Sequence, residues 1–237
     1  MKKIFLSPET RPAPHGKYWG MDGVYEHDVC CEIAELVKPL AEYNGFEVEI
    51  AKPEWPMARR CTHANATGVN YYLCIHTNAS GNGATEGTAT GAECLYYNAP
   101  ASIKANNLMY RELTSLYPSK RGCKNYSHFY ENKYTNMVSC YPELAFHDNG
   151  KDAKWIVSHK QEIAVALCKG ICGYFGVDYK EQHTEIETDD INSKIEALNE
   201  IVQEKEEKIL SLSAIIKDYE SKLDSIHQTS SIERTTL

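Results

Sequence analysis

The chain has 237 residues, 42% of them hydrophobic, and a formal net charge of −8. That length suits one substantial domain plus an appendage. The acidic balance argues against a general electrostatic grip on nucleic acid or anionic lipid, and no apolar run reaches the roughly 20 residues a membrane helix needs.

The chain opens Met1-Lys-Lys-Ile-Phe-Leu-Ser7, and Pro8, Glu9 and Arg11 end the apolar run at once. A secretion signal needs a much longer apolar core, so Lys3–Ser7 reads as a first strand. The expected location is the cytoplasm, with any extracellular target reached by another route. Between residues 24 and 43, Val29, Ile33, Leu36, Val37 and Leu40 recur on one helical face. Further strands are expected at Glu47–Ala51, Tyr71–Ile75, Glu93–Tyr97 and Val138–Leu144, and further helices at about 101–117 and 160–175. Strands alternating with helices of this length predict an α/β domain over residues 1–178, with a mainly parallel twisted sheet and helices on both faces. Functional groups in such sheets gather at the strand ends.

Nine cysteines are scattered through this region without a CxxC pair. Several sit in apolar periodic segments as small hydrophobes. A reducing compartment fits them better than a disulfide framework.

Composition changes at about residue 179. Residues 179–190 read as an acidic linker. From Ile191 a heptad pattern runs to residue 227, with a positions at Ile195, Val202, Ile209, Ile216 and Leu223. The d positions are Ile191, Leu198, Lys205, Leu212, Tyr219 and Ile226. An unbroken 3.5-residue period points to a coiled coil and a homo-oligomer. Residues 228–237 read as a polar, irregular tail.

Three segments carry candidate metal chemistry: His15 in the loop after the first strand, Glu26 and His27 opening the first helix, and His76 ending the central strand. Two histidines and a glutamate make a zinc set that leaves one position for water. Glu143, at the end of a neighbouring strand, could take a proton from that water. Neighbouring helix residues point about 100° apart, so Glu26 and His27 do not both serve one ion. Cys74 and His76 share a strand face, which raises a cysteine-hydrolase alternative. A thiol inside an apolar run is a poor nucleophile, however.

Taken together, these segments resemble the zinc-dependent N-acetylmuramoyl-L-alanine amidases, particularly the compact endolysins of phages infecting Gram-positive bacteria. The resemblance covers about residues 1–177. It rests on Ile4-Phe-Leu-Ser-Pro8, Glu26 with Ile33-Ala34, Arg60-Cys-Thr-His-Ala-Asn65 and Ile75-His-Thr-Asn-Ala79. It continues through Gly91-Ala-Glu-Cys-Leu-Tyr-Tyr97, Arg121-Gly-Cys-Lys124, Glu143-Leu-Ala-Phe-His-Asp-Asn149, Trp155-Ile156 and Gly170-Ile-Cys-Gly-Tyr-Phe-Gly176. It implies a peptidoglycan hydrolase that cuts between the lactyl group of N-acetylmuramic acid and L-alanine during host lysis. It implies Zn²⁺ held by His15, Glu26 and His76, catalysis by Glu143, and Asn78 in the substrate groove. The family places its first metal histidine directly after the first strand. Here Pro8 to Pro14 intervene, so His15 and His27 both remain open as the first ligand. The alternatives are a bacterial autolysin or sporulation amidase of the same chemistry, or a non-catalytic wall-binding protein on the same fold.

Overall fold

In the computed structural model, the described residues are 1–81, 83–181 and 188–233, with side chains of 188–194 and 224–233 excepted. They divide into two units, split after Gln182.

The first unit is built on a seven-stranded sheet. Its strands are β1 (Lys2–Pro8), β2 (Phe46–Ile50), β3 (Tyr71–Asn78), β4 (Glu93–Tyr96), β5 (Cys123–Asn125), β6 (Val138–Cys140) and β7 (Pro142–Phe146). The order is β2-β1-β3-β7-β4-β5, with β6 also paired to β3. All pairings are parallel except β4 with β7.

Period-2 alternation sends the central strands into two cores. Ile4, Leu6, Tyr71, Leu73 and Ile75 join the larger one. It also takes in apolar residues of α1 (Glu26–Tyr43), α3 (Pro100–Leu116), α5 (Gly150–Ser158) and α6 (Lys160–Phe175). Phe5, Tyr72 and Cys74 join the smaller core with Trp55 and with Cys61 and Ala64 of α2 (Met57–Ala66). A short helix, α4 (Tyr130–Tyr134), packs against α2 and β6. Helices therefore cover both faces, as the strand and helix alternation requires.

Several boundaries moved, and β3 runs three residues past its expected end at Ile75, which puts His76 inside the strand. The expected strand Val138–Leu144 is two strands interrupted at Tyr141. Pro142 lacks the N–H that would continue a ladder, and the Tyr141 N–H donates instead to Asn106 Oδ1 at 3.0 Å. The first helix starts at Glu26, two residues later than its apolar period suggested, with Glu26 as its first helical residue. Sequence periodicity also missed α2, α4, α5 and β5. Each is short, and the stripe of α2 is carried by the small residues Cys61 and Ala64 beside a buried Arg60.

The second unit contains α7 (Thr188–Glu233). This helix begins before the heptad pattern and continues past residue 227, because no Pro or Gly interrupts residues 188–233. Residues 182–187 of the expected linker and 234–237 of the expected tail lie outside the described residues, as do the side chains of Ile191 and Ile226. The other apolar seam residues, from Ile195 to Leu223, are exposed.

Candidate active site

The site sits where β1 ends, beside the last three residues of β3 and the start of β7, so Glu143 opens its strand instead of ending it. Glu9 follows β1 directly and is fully buried, its N–H donating to the Ile75 carbonyl at 3.1 Å. Glu26 opens α1, and its Oε1 accepts from the Thr77 N–H at 2.9 Å. His76 is the sixth residue of β3 and is 4% exposed. Its Nδ1 lies 3.2 Å from Glu9 Oε2 and 3.5 Å from Glu26 Oε1. One donor atom from each of Glu9, Glu26 and His76 lies within 4.8 Å of the other two. A tetrahedral zinc shell with ion–donor distances near 2.1 Å has donor–donor edges of roughly 3.4 Å. The two His76 edges match that spacing, so the donor set fits a small divalent ion.

His15, the loop ligand expected from the resemblance, takes no part in this triplet. It is exposed and lines the same cavity. Glu9 stands where the family puts its first ligand, directly after the first strand; that position was the signal that could have revealed it. His27, the other candidate, is turned toward the loop, with Nδ1 2.6 Å from the Glu9 carbonyl oxygen.

The electrostatics follow from burying three carboxylates around one imidazole. Burial opposes ionisation of Glu9, but hydrogen bonds from His76 and Arg11 outweigh it and hold the carboxyl well below its ordinary range. Arg11 Nη2 lies 2.8 Å from Glu9 Oε2, and the Arg11 N–H donates to Oε1 at 2.7 Å. Burial alone would lower the pKa of His76; Glu131, Glu26 and Glu9 together raise it well above the usual imidazole value. The Tyr141 ring stacks on His76 with centroids 4.5 Å apart and planes 9° apart.

Glu143 is the register partner of His76 across β3 and β7. It is 8% exposed, and its Oε2 has no hydrogen-bond partner among the described residues. Burial pushes its carboxyl up to about 8, against the pull of the His76 charge and with help from Glu26, Glu93 and Glu9. A carboxyl tuned toward neutrality is suited to general acid and base work.

A cavity of about 970 Å³ opens over these groups, and Arg11, His15, Tyr18, Phe129, Tyr141 and His147 form part of its wall. Asn78 also lines it, but its amide N–H₂ is committed to Glu93 Oε1 at 2.8 Å. Glu93 in turn is paired with Arg121 at 2.8 Å and with Lys124. His147 was assigned no role by sequence; its Nδ1 lies 3.1 Å from the Thr77 carbonyl oxygen and its ring stacks on Tyr18. The Cys74 thiol is fully buried and raised well above its ordinary pKa by that burial, which removes it as a nucleophile.

Comparison with known proteins bears on the family and the fold. A family model described as N-acetylmuramoyl-L-alanine amidase matches residues 13–173; His15 falls inside that segment and Glu9 just before it. The N-acetylmuramoyl-L-alanine amidase CwlM of Bacillus licheniformis is 26% identical over 187 residues, which span 75% of this chain and 70% of the relative. The catalytic domain of CwlV, an amidase from Bacillus (Paenibacillus) polymyxa var. colistinus, superposes with a TM-score of 0.66 at 21% identity, covering 75% of this chain and all of that one. The catalytic domain of the CD27L endolysin, which targets Clostridia difficile, gives 0.59 at 19% identity, covering 73% and 98%.

Proposed function

This chain belongs to the N-acetylmuramoyl-L-alanine amidase family and is a peptidoglycan hydrolase; on that premise we propose that it works with a divalent ion, zinc by preference, held by Glu9, Glu26 and His76. The observation that carries the proposal is the convergence of those three donors beside an unpartnered buried Glu143 carboxyl. An ion bound there supplies Lewis acidity and acidifies water at neutral pH.

The remaining chemistry belongs to the side chains. Glu143 accepts a proton from the attacking water and delivers it to the departing nitrogen of L-alanine. Arg11 holds Glu9 in the ionised form that a cation needs. Asn78, fixed by Glu93, presents its groove face to the muramyl peptide.

Two measurements test this reading. Purified cell walls incubated with the protein should release peptides with new N-terminal alanine, identified by mass spectrometry. A chelator should stop the release and added zinc restore it; chelator-resistant release refutes the metal. Elemental analysis of Glu9→Gln and His15→Ala then assigns the third donor. Zinc lost in the first and kept in the second supports Glu9, and the reverse pattern restores the His15, Glu26, His76 set.

We place this enzyme in the lysin setting that its sequence resembles. Cytoplasmic expression in a Gram-positive host should lyse cells only once the membrane is permeabilised; lysis without permeabilisation argues for an exported autolysin. For α7 we propose self-association into a parallel coiled coil. Ile195, Leu198, Val202, Ile209, Leu212, Ile216, Tyr219 and Leu223 are each about half exposed or more in the single chain, and a 3.5-residue seam is what a second copy covers. Linked catalytic domains would gain avidity on a polymeric wall.

A further inference from the structure

Glu131 is a carboxylate that neither the fold nor the proposed chemistry accounts for in full. It lies on α4, is 1% exposed, and sits on the smaller-core side of the sheet. Its Oε1 accepts two hydrogen bonds, from Ser7 Oγ at 2.6 Å and from Tyr72 OH at 2.7 Å. Arg60 supports this clamp by donating to Ser7 Oγ at 3.2 Å and to the Pro8 carbonyl. The helix itself is pinned, since Asn132 Nδ2 donates to the Leu95 and Tyr126 carbonyls. None of this engages Oε2, which has no hydrogen-bond partner among the described residues.

What Oε2 faces is His76. Alternation along β3 puts Tyr72, Cys74 and His76 on the same side of the sheet, the side that carries Glu131. His76 Nε2 lies 3.6 Å from Glu131 Oε2, and it too lacks a hydrogen-bond partner among the described residues. The other ring nitrogen, Nδ1, faces Glu9 and Glu26. A neutral imidazole carries one proton. If Nδ1 is to offer its lone pair to a cation, the proton must be on Nε2, and a proton on a buried Nε2 needs an acceptor. The free oxygen of Glu131 is the acceptor in reach, a few tenths of an ångström beyond bonding distance.

We propose that Glu131 is a positioning residue for the metal centre: its Oε2 receives the Nε2 proton of His76, so that Nδ1 is the nitrogen offered to the ion between Glu9 and Glu26. The inference rests on the metal reading above. Carboxylates that accept the distal proton of a metal-bound histidine typically improve metal affinity by 10- to 100-fold.

The test is Glu131→Gln in the full chain. The glutamine Oε1 still accepts from Ser7 and Tyr72, so the amide N–H₂ must face His76 Nε2 and can only donate. That favours the wrong tautomer while the clamp survives. Zinc affinity, measured by competition with a chromogenic chelator, should fall by about 10- to 100-fold. Histidine ¹⁵N spectra of the cadmium-113-loaded wild type, which need no variant, should show metal coupling at Nδ1 of His76 and a proton on Nε2. Coupling at Nε2, or zinc affinity in Glu131→Gln within twofold of wild type, overturns the role of Glu131 alone. A wild-type protein that binds no stoichiometric metal overturns the metal reading and this inference with it.

Discussion

Gly16 offers the sharpest mechanical test of the site. Its φ is +64°, and a Cβ added there would lie 2.6 Å from Glu26 Cβ and 2.9 Å from Glu26 Oε2. The Glu26 side cannot give way easily, because the Glu26 N–H is bonded to the Gly16 carbonyl at 2.9 Å at the start of α1. Gly16→Ala therefore carries two costs. The left-handed backbone costs about 1–2 kcal/mol for a residue with a Cβ, and overpacking adds about 1–3 kcal/mol. Gly23 is the control: its φ is +77°, and a Cβ there meets nothing within 4 Å. Gly23→Ala should carry the first cost only. At about 2–4 °C per kcal/mol for a domain of this size, the two variants should differ in Tm by roughly 2–12 °C. Thermal denaturation of both variants reads that difference directly. The clash also pushes the Glu26 carboxylate, so zinc affinity should fall in Gly16→Ala and hold in Gly23→Ala. Equal melting shifts together with equal zinc affinities would refute the claim that the loop backbone at Gly16 seats Glu26.

Three other outcomes are expected. Glu143→Gln should lower wall hydrolysis by about 100- to 10,000-fold with an unchanged circular dichroism spectrum; near wild-type turnover would remove Glu143 from the chemistry. Glu93 is pushed up by burial, but Lys124 and Arg121 more than offset this and leave its carboxyl below the ordinary value. A depressed carboxyl adds stability above its unfolded pKa near 4.5, and that stability is lost as pH falls through the lower folded pKa. The stability gap between wild type and Glu93→Gln, followed by urea denaturation, should accordingly be present at pH 6 and shrink below pH 4.5. The full chain should scatter light as an oligomer and a chain ending at Gln182 as a monomer. That end point keeps the Lys180 N–H bonded to Asn44 Oδ1 at 2.7 Å, and equal monomer masses would dismiss self-association.

The elements easiest to read from sequence were those with a long period and one buried face. Val29, Ile33, Val37 and Leu40 are all buried in α1, and β3 is buried along nearly its whole length. His76 stood out because it ends such a run. Glu9 did not, since an acid between Pro8 and Thr10 reads locally as a polar strand exit. Only the pairing of β1 with β3, which sets Pro8 beside Ile75, brings it next to His76. Glu131 was invisible for a related reason. It is 124 residues from Ser7 and 59 from Tyr72, and a five-residue helix gives no periodic signal. Asn78 was legible as a strand-end polar residue, but its engagement with Glu93 depends on a third strand.

The placement of the site at the end of β1 follows from which faces its donors come from. Glu26 is carried by a helix of the larger core, while Glu131 belongs to the opposite side of the sheet. Within the sheet, successive β3 residues serve one face or the other: Leu73 and Ile75 pack with α1, and Tyr72 and Cys74 pack with α2. Groups from the two faces meet here because β1 ends at Pro8, opposite Ile75, and leaves His76 without that neighbouring strand. At the end of β3 the alternation still holds, and it now divides the work. The in-plane Thr77 N–H fixes Glu26, while the His76 ring, on the face of Tyr72 and Cys74, lies between Glu26 and Glu131. Shifting β3 by one residue would turn His76 to the opposite face and present a threonine where the cation needs an imidazole. The register of β3 against β1 is thus a requirement of the chemistry as well as of the core.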